Sequence, residues 1–316
     1  MIDVSPDIPK SFLSPEAREI VVPESRKRLW AVLVDLYLQF DKVCKKHGIR
    51  YFCDGGTLLG AVRHRGFIPW DDDFDVIMSR EEYEKLNKVA PQEFKMPYFW
   101  QTNETDPASA RGHAQLRNSA TTGILKDEMC GGKPLNSFNQ GMFIDVFPFD
   151  NIPDDPAERC AFIARLKKLK QKVKRIKGIR EGARRRNSRL PTPGYAWRLV
   201  KAFCLRTYEV VLRRDTLTAA EREFERVAMS YRGVQTAFKA PLTLRPDHRE
   251  VLPSDFFDES AELDFEFLKI PVIKRYEEVL KINYGNWREQ VIGTSDHGGM
   301  FVDLDNSYLK YVKDAR

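Results

Sequence analysis

The chain has 316 residues, 42% of them apolar and 31% charged, a balance typical of a soluble globular protein. It contains no run of about 20 uncharged apolar residues, so the sequence predicts no membrane-spanning helix. The first residues lack the basic and apolar regions of a secretory signal, and we therefore expect a cytoplasmic protein. Five scattered cysteines without a C-x-x-C pair predict neither a disulfide framework nor a structural zinc site.

The net charge of +6 hides a strong local asymmetry. Thirteen lysine and arginine residues and one acid, Glu181, lie between residues 165 and 189, so this segment alone carries +12. A block of this kind is typical of a solvated helix face or of a surface that binds an anionic partner. It lacks interleaved aromatic residues, which disfavours the binding of single-stranded nucleic acid.

The first predicted element is a long amphipathic helix, because apolar residues recur at helical spacing from Leu29 to Cys44 and Gly48 closes the pattern. Residues 49–53 then read as a strand that runs into a glycine turn at Gly55-Gly56. A short helix over 57–65 follows, with its first amides facing that turn.

An acidic strand is expected over 73–78, and Ser79 with Glu82 forms a capping box that begins a helix reaching about residue 90. The periodicity changes repeatedly in the remainder of the chain. It predicts strands over 98–101, 113–117 and 142–147, helices over 155–232 with an interruption near 190–194, a strand over 265–272 and a helix over 273–284 that ends at Gly285.

Two carboxylates follow the glycine turn. In a strand, Asp73 and Asp75 project from one face about 7 Å apart at Cα, while Phe74 and Val76 enter a core, and Asp72 is out of phase with both acids. Such a pair suits a shared Mg²⁺, the alternative being a solvated acidic turn. The pattern of a glycine turn at a helix N-terminus followed by paired acids is typical of chemistry on nucleotides.

A third acid, Asp145, lies in an otherwise apolar strand. A buried carboxylate is costly unless it is paired or bound to a metal ion. If this strand lies beside the Asp73/Asp75 strand, the three acids could hold two metal ions for displacement at phosphorus. The alternative is a position on an exposed sheet edge.

The residues from Gly55 to His64 and from Ile68 to Val76 closely resemble the LicD family of phosphotransferases, which includes bacterial phosphocholine transferases and fukutin-related ribitol-phosphate transferases. Three later segments resemble further blocks of that family in the same order. They are Arg117–Thr122, Phe143–Pro148 and Tyr284–Trp287.

The resemblance implies an α/β (α+β) fold, with a nucleotidyltransferase-like mixed sheet flanked by helices and a helical basic insertion. We place the catalytic core with its N-terminal helix in 1–154, the mainly helical basic insertion in 155–255 as a possible acceptor-binding region, and a strand, helix and tail that complete the core in 256–316. The implied reaction moves a phospho-alcohol, phosphocholine or a related phosphopolyol, from a CDP-linked donor to a hydroxyl of a cell-surface glycan or lipid-linked glycan and releases CMP.

The resemblance also assigns site residues. Asp71, Asp73 and Asp75 fall on the acidic motif, with Asp73 and Asp75 as Mg²⁺ ligands and Mn²⁺ as an alternative ion. Asp145 is either a third ligand or the base for the acceptor hydroxyl. The residues expected to bind the donor phosphates are Gly55, Gly56, Thr57, Arg63, His64, Arg117 and Lys274.

Two other functions use the same features. A true nucleotidyltransferase would employ these acids to transfer a nucleoside monophosphate from a nucleoside triphosphate, and a nucleic-acid-binding protein would act through residues 165–189. That basic segment could also hold the protein at the anionic inner face of a membrane, or could serve only as a solvated helix face.

Overall fold

The computed structural model describes residues 4–17, 20–109, 111–130, 133–134, 138–184, 193–212, 215–243, 250–290 and 299–312. The described helices are α1 (Glu24–His47), α2 (Gly55–His64), α3 (Arg80–Glu93), α4 (Pro156–Arg184), α5 (Pro193–Val211), α6 (Thr216–Ala228), α7 (Tyr276–Tyr284) and α8 (Leu309–Val312). The described strands are β1 (Glu16–Ala17), β2 (Val21–Val22), β3 (Phe52–Cys53), β4 (Asp75–Ser79), β5 (Tyr98–Gln101), β6 (Ala114–Asn118), β7 (Thr122–Leu125), β8 (Met129–Cys130), β9 (Lys133–Pro134), β10 (Met142–Asn151), β11 (Phe238–Ala240), β12 (Leu252–Pro253), β13 (Ser260–Phe265), β14 (Leu268–Ile273) and β15 (Met300–Asp303).

A mixed sheet of seven strands occupies the centre, with β10 as its longest member. One edge of β10 pairs in parallel with β4, which in turn pairs with β3. The other edge of β10 pairs with β6 along its first half and with β11 at its end. Strand β6 also pairs with β5, and β11 also pairs with β12. Every residue of β10 is buried, as expected for a central strand covered on both faces.

Helix α1 and the hairpin of β13 and β14 pack around this sheet in one large apolar core. The core includes an aromatic group in which Trp30 stacks on Phe67 at 4.7 Å between ring centroids. Phe265 makes edge contacts with Phe67 and Phe74, at 4.8 and 5.5 Å. Helix α1, the turn before β4, and β13 are therefore joined by aromatic contacts, each of which adds to the free energy of burial.

Helices α4 and α6 pack on a separate apolar group beyond the end of β10, which includes Ile152, Phe162, Leu166 and Phe224. A smaller group continues between the same helices. The domain boundaries at 154 and 255 stay a prediction.

The mixed α/β class is confirmed, with helices on a mixed sheet. Helix α1 ends at Gly48 in the left-handed conformation, and the Ser79 hydroxyl accepts a hydrogen bond from the Glu82 amide at the start of α3, both as the sequence predicts. Cys44 and Cys53 are buried thiols.

Four elements differ in their bounds from the sequence predictions. Strand β4 begins at Asp75, so Asp73 lies in the preceding loop. The alternation of side chains along a strand therefore does not determine which way the Asp73 side chain points. Strand β3 covers only Phe52–Cys53. The expected single strand over 265–272 is part of the β13/β14 hairpin, whose turn contains Glu266 at φ 55°, and α7 begins at Tyr276.

Helix α4 confirms a helical basic segment as far as Arg184, and residues 185–192, including the rest of that segment, lie outside the described residues. None of the described helices combines the length and the apolar character that a bilayer crossing requires.

Candidate active site

Two glycines begin α2 directly against two carboxylates. A Cβ atom at Gly55 would lie 2.6 Å from Asp75 Oδ2, and one at Gly56 would lie 2.6 Å from Asp71 Oδ2. Gly55 also has a φ of +60°, a conformation that side chains disfavour. Only glycine therefore lets the start of this helix approach the acids so closely.

Hydrogen bonds fix the helix start to β4. The Asp75 amide donates to the Thr57 hydroxyl at 2.9 Å, and the Asp54 amide donates to the Asp75 carbonyl at 3.2 Å. The positive end of the α2 dipole thus lies at the acids, where it favours negative charge.

The acidic loop before β4 is held by its backbone. The Asp71 carbonyl accepts hydrogen bonds from Arg26 Nη1 at 2.9 Å and from the indole of Trp30 at 3.0 Å, both on α1. Carboxylate oxygens of Asp71, Asp72 and Asp73 lie within 4.8 Å of one another. Because α1 binds the loop through the backbone carbonyl of Asp71, the three side-chain carboxylates stay available to form this cluster.

Asp145 faces the same place from β10. It is the register partner of Asp75 on the adjacent parallel strand, so the two side chains share a face of the sheet. Its Oδ1 atom accepts a hydrogen bond from the Gln115 amide at 2.7 Å and lies 2.9 Å from His113 Nε2. The strand juxtaposition expected for this third acid is confirmed.

Burial and neighbouring charges raise the pKa of three acids at this site, Asp54, Asp71 and Asp75. Burial raises the pKa of Asp71 to about 9, and repulsion from Asp73 adds to this rise. The pKa of Asp75 is also raised, first by burial and then by the charges of Asp73 and Asp145. Burial raises the pKa of Asp54 to about 7. A positive charge among them would offset the repulsion.

The donor set fits a hard divalent cation. Carboxylate oxygens are the ligands that Mg²⁺ and Mn²⁺ prefer. In addition, Asp72 Oδ1 is buried and receives no hydrogen bond from the described residues. The tightest described group of acids is Asp71–Asp73, with Asp75 and Asp145 beside it, whereas the sequence pattern favoured Asp73, Asp75 and Asp145 as ligands.

The other predicted site residues are placed differently. Arg63 and His64 form the last turn of α2 and are partly exposed. Arg117 is fully buried and donates to the Gln101 side chain and the Gly141 carbonyl, both at 2.6 Å. Burial lowers the pKa of this guanidinium well below its usual range.

Lys274, just after β14, is exposed and pairs with Glu259, just before β13. Trp70 packs against the main core as a partly buried side chain. Donor binding by Arg117 or Lys274 stays a prediction, since the described contacts of both side chains are within the protein.

Several residues around the acids were not predicted from the sequence. Arg26 and Trp30 hold the acidic loop, and His113 and Gln115 hold Asp145. A sequence signal existed only for the last two. Gln115 on β6 and His113, just before that strand, alternate on the side that faces the acid of the paired strand. Tyr284 is a further neighbour, since the pKa of its hydroxyl is raised by burial and by the charges of Asp54 and Asp75.

Comparison with known proteins identifies the domain that carries this site. Residues 48–159 match the family model for the LicD/FKTN/FKRP nucleotidyltransferase domain, a segment that includes the glycine turn, the acidic loop and β10. Over this segment the chain is similar to the LicD family. The family resemblance seen in the sequence is thereby confirmed.

Two curated relatives illustrate the extent of the similarity. The LicD-family lipopolysaccharide cholinephosphotransferase of Haemophilus influenzae is 37% identical over 125 residues, which cover 40% of this chain and 44% of that protein. Human ribitol 5-phosphate transferase FKRP is 53% identical over 34 residues, which cover 11% of this chain and 7% of that protein. The chain thus matches less than half the length of either relative.

Proposed function

We propose that this protein is a Mg²⁺-dependent phosphotransferase that moves a phospho-alcohol from a CDP-linked donor to a hydroxyl of a glycan and releases CMP. Phosphocholine is the first donor group to test, because the LicD relative with the longest match reported above is named a cholinephosphotransferase. Ribitol phosphate is the second, from the name of the FKRP relative.

The observation that carries the proposal is the packing of Gly55 and Gly56 against the carboxylates of Asp75 and Asp71. A helix N-terminus supplies amides for phosphate oxygens, and the acids beneath it supply oxygens for a cation. A diphosphate bound between the two would contact both kinds of group. This arrangement supports chemistry at a diphosphate more directly than binding of a nucleic acid.

Each group then has a chemical role. Asp71, Asp73 and Asp75 would hold the cation, which when bound supplies positive charge to the donor diphosphate. The reaction breaks the bond between the transferred phosphorus and the CMP oxygen and forms one to the acceptor oxygen. The acceptor hydroxyl loses its proton, and we assign the buried carboxylate of Asp145 either as the base that accepts it or as a further ligand.

The test incubates the purified chain with CDP-choline, CDP-ribitol and CDP-glycerol in the presence of Mg²⁺, and measures CMP by chromatography. Slow hydrolysis of the donor reveals its identity even before the acceptor is known. We expect one donor to give CMP formation that chelation abolishes and that Asp75→Asn removes.

The same experiment with nucleoside triphosphates in place of the CDP-linked donors tests the alternative function. Pyrophosphate release from a triphosphate, with no CMP from any CDP-alcohol, would replace the proposal by a true nucleotidyltransferase. The exposed acid Asp264, on the β13/β14 hairpin, provides the matched control variant Asp264→Asn, which should keep full activity.

A further inference from the structure

Helix α5 presents a row of apolar side chains to solvent. Leu199, Phe203 and Val210 recur at helical spacing on one side, with Val200 and Val211 beside them. Phe203 is 72% exposed and Val211 is 73% exposed. Single exposed apolar residues are ordinary, but a continuous row along a helix of 19 residues marks a surface that binds something.

Helix α4 packs against α5 and also exposes basic side chains. Lys167, Lys168, Lys174 and Arg175 are exposed and lie opposite the face of α4 that is buried in the protein. Arg175 and Lys201 line a shallow groove between α4 and α5 together with Trp197 and Tyr208. At this groove, exposed cations therefore lie beside exposed aromatic side chains and Val200, a neighbour of the apolar row.

Other basic residues of α4 are engaged inside the protein. Lys170 donates to the Thr243 carbonyl at 3.1 Å. Lys177 lies 3.7 Å from Glu221, and Arg180 pairs with Glu209 and Asp215. These contacts separate the basic residues that hold α5 and α6 in place from those that face solvent.

We propose that α4 and α5 form a docking surface for an anionic lipid bilayer, with the apolar row of α5 entering the headgroup region and the exposed cations of α4 and α5 contacting lipid phosphates. The charge complementarity selects this occupant. Glu209 is the one acid within α5, and it is already paired with Arg180, so the surface offers a lipid phosphate mainly cations. An amphipathic helix with basic flanks binds membranes in this way. The inference is independent of the proposed function, since it uses no residue of the acidic site.

The test uses the full chain and vesicles of phosphatidylcholine, alone or mixed in equal parts with phosphatidylglycerol, in a sedimentation assay across a salt series. We expect binding to the anionic vesicles only, with a steep decrease at high salt. Trp197 is an internal reporter, because it is 59% exposed while Trp30, Trp100 and Trp287 are buried and Trp70 is partly buried. Its fluorescence should be quenched by brominated lipid, and Trp197→Phe should remove that quenching.

Two variants separate the components of the surface. Phe203→Gln with Val210→Gln keeps the charge and removes apolar groups, and a second variant replaces four exposed cations by Gln. Each should lower vesicle binding at least about tenfold. The cations replaced are Lys167, Lys168, Lys174 and Arg175. A control that replaces four exposed lysines elsewhere should retain binding. The control lysines are Lys10, Lys88, Lys95 and Lys281.

Failure to sediment with anionic vesicles at low salt would overturn the proposal. So would a lipid-free dimer in light scattering that Phe203→Gln converts to a monomer, because the apolar row would then join two copies of the chain. Donor-dependent CMP formation is measured without vesicles, so the outcome for lipid binding leaves the test of the proposed function unaffected.

Discussion

Asp75 and Asp145 lie directly opposite each other on two parallel strands, although 70 positions separate them in the chain. Two buried carboxylates at the same height on one face of a sheet repel each other, and Asp71 and Asp73 add to the repulsion at Asp75. Such an arrangement lowers the stability of the protein and is typical of a site that serves chemistry.

Asp75→Asn should therefore have opposite effects on stability and activity. The amide keeps the shape of the side chain and removes its charge, so we expect the free energy of unfolding without metal to rise by about 1–2 kcal/mol. Transfer activity should fall at least about 100-fold. Chemical denaturation in chelator and CMP release at saturating Mg²⁺ give the two values, and unchanged transfer would refute the metal assignment.

Asp72 and Asp73 provide a contrast within the loop. If these residues alternated along a strand, Asp72→Asn would retain substantial transfer activity. However, Asp73 lies outside β4, and the Asp72 carboxylate belongs to the cluster with Asp71 and Asp73. We now expect Asp72→Asn to raise the Mg²⁺ concentration needed for half activity about tenfold, with recovery at high Mg²⁺. Asp73→Asn should not recover. A Mg²⁺ titration of each variant decides, and equal behaviour of the two would show that the loop acts as one unit.

Asp145 should respond differently in its two candidate roles. We expect Asp145→Asn to lower transfer activity at least about 100-fold. If the residue is the base, the variant should still bind Mg²⁺ as tightly as the original protein. If it is a ligand, Mg²⁺ affinity should decrease together with activity. Calorimetric titration of Mg²⁺ in the absence of donor separates these cases.

Gly55→Ala should damage the site through both its backbone and its neighbour. The added Cβ would meet Asp75 Oδ2 at 2.6 Å, at a residue with φ of +60°. Gly48 offers a matched control, because its φ is +59° and nothing lies within 4 Å of an added Cβ. Both alanine variants should lose about 1–2 kcal/mol of stability from the backbone conformation. Only Gly55→Ala should also lose transfer activity, which assays of the two variants will compare.

A stability prediction concerns the buried acid Glu221 on α6. Burial raises the pKa of Glu221 above its usual 4.5, despite the attraction of Lys177. The folded state therefore binds this proton more tightly than the unfolded state, and stability decreases as pH rises from about 4.5 through the folded pKa. Glu221→Gln should remove this dependence and stabilise the protein at neutral pH but not at acidic pH.

Glu223 on the same helix is the control for that measurement. It is partly exposed, and the hydrogen bond that it accepts from Arg226 lowers the pKa of its carboxyl, so its contribution has the opposite sign. Glu223→Gln should not stabilise the protein at neutral pH. Urea denaturation of both variants across the pH range gives the comparison, and equal effects would exclude burial as the cause at Glu221.

The predictable parts of this fold are those in which a local pattern determines a local structure. The periodicity of α1, the left-handed Gly48 and the capping Ser79 each act within a few residues. The start of β4 was not predictable in this way. The Asp71 carbonyl is held by Trp30, which lies 41 positions earlier, so a long-range hydrogen bond keeps this segment in a loop although the sequence alternates like a strand.

The same distinction between local and long-range causes applies to the site residues. The acids were found because they stand in an unusual local pattern, and the register of β10 brought them together as expected. Arg117 shows the limit, since its partners Gln101 and Gly141 come from segments that are adjacent only in the folded sheet. The exposure of the apolar row on α5 was also not predictable, because periodicity does not reveal which side of a helix packs against the rest of the protein.

The aromatic group around Phe67 has a consequence for the unit that can fold. Residues 48–159 carry the family match, yet Phe67 packs on Trp30 before that segment and on Phe265 after it. A fragment limited to those residues would expose Phe67 and Phe74 to water and release the carbonyl of Asp71 from α1. We therefore expect the segment that matches the family model to fold only together with the flanking chain, from α1 through β14.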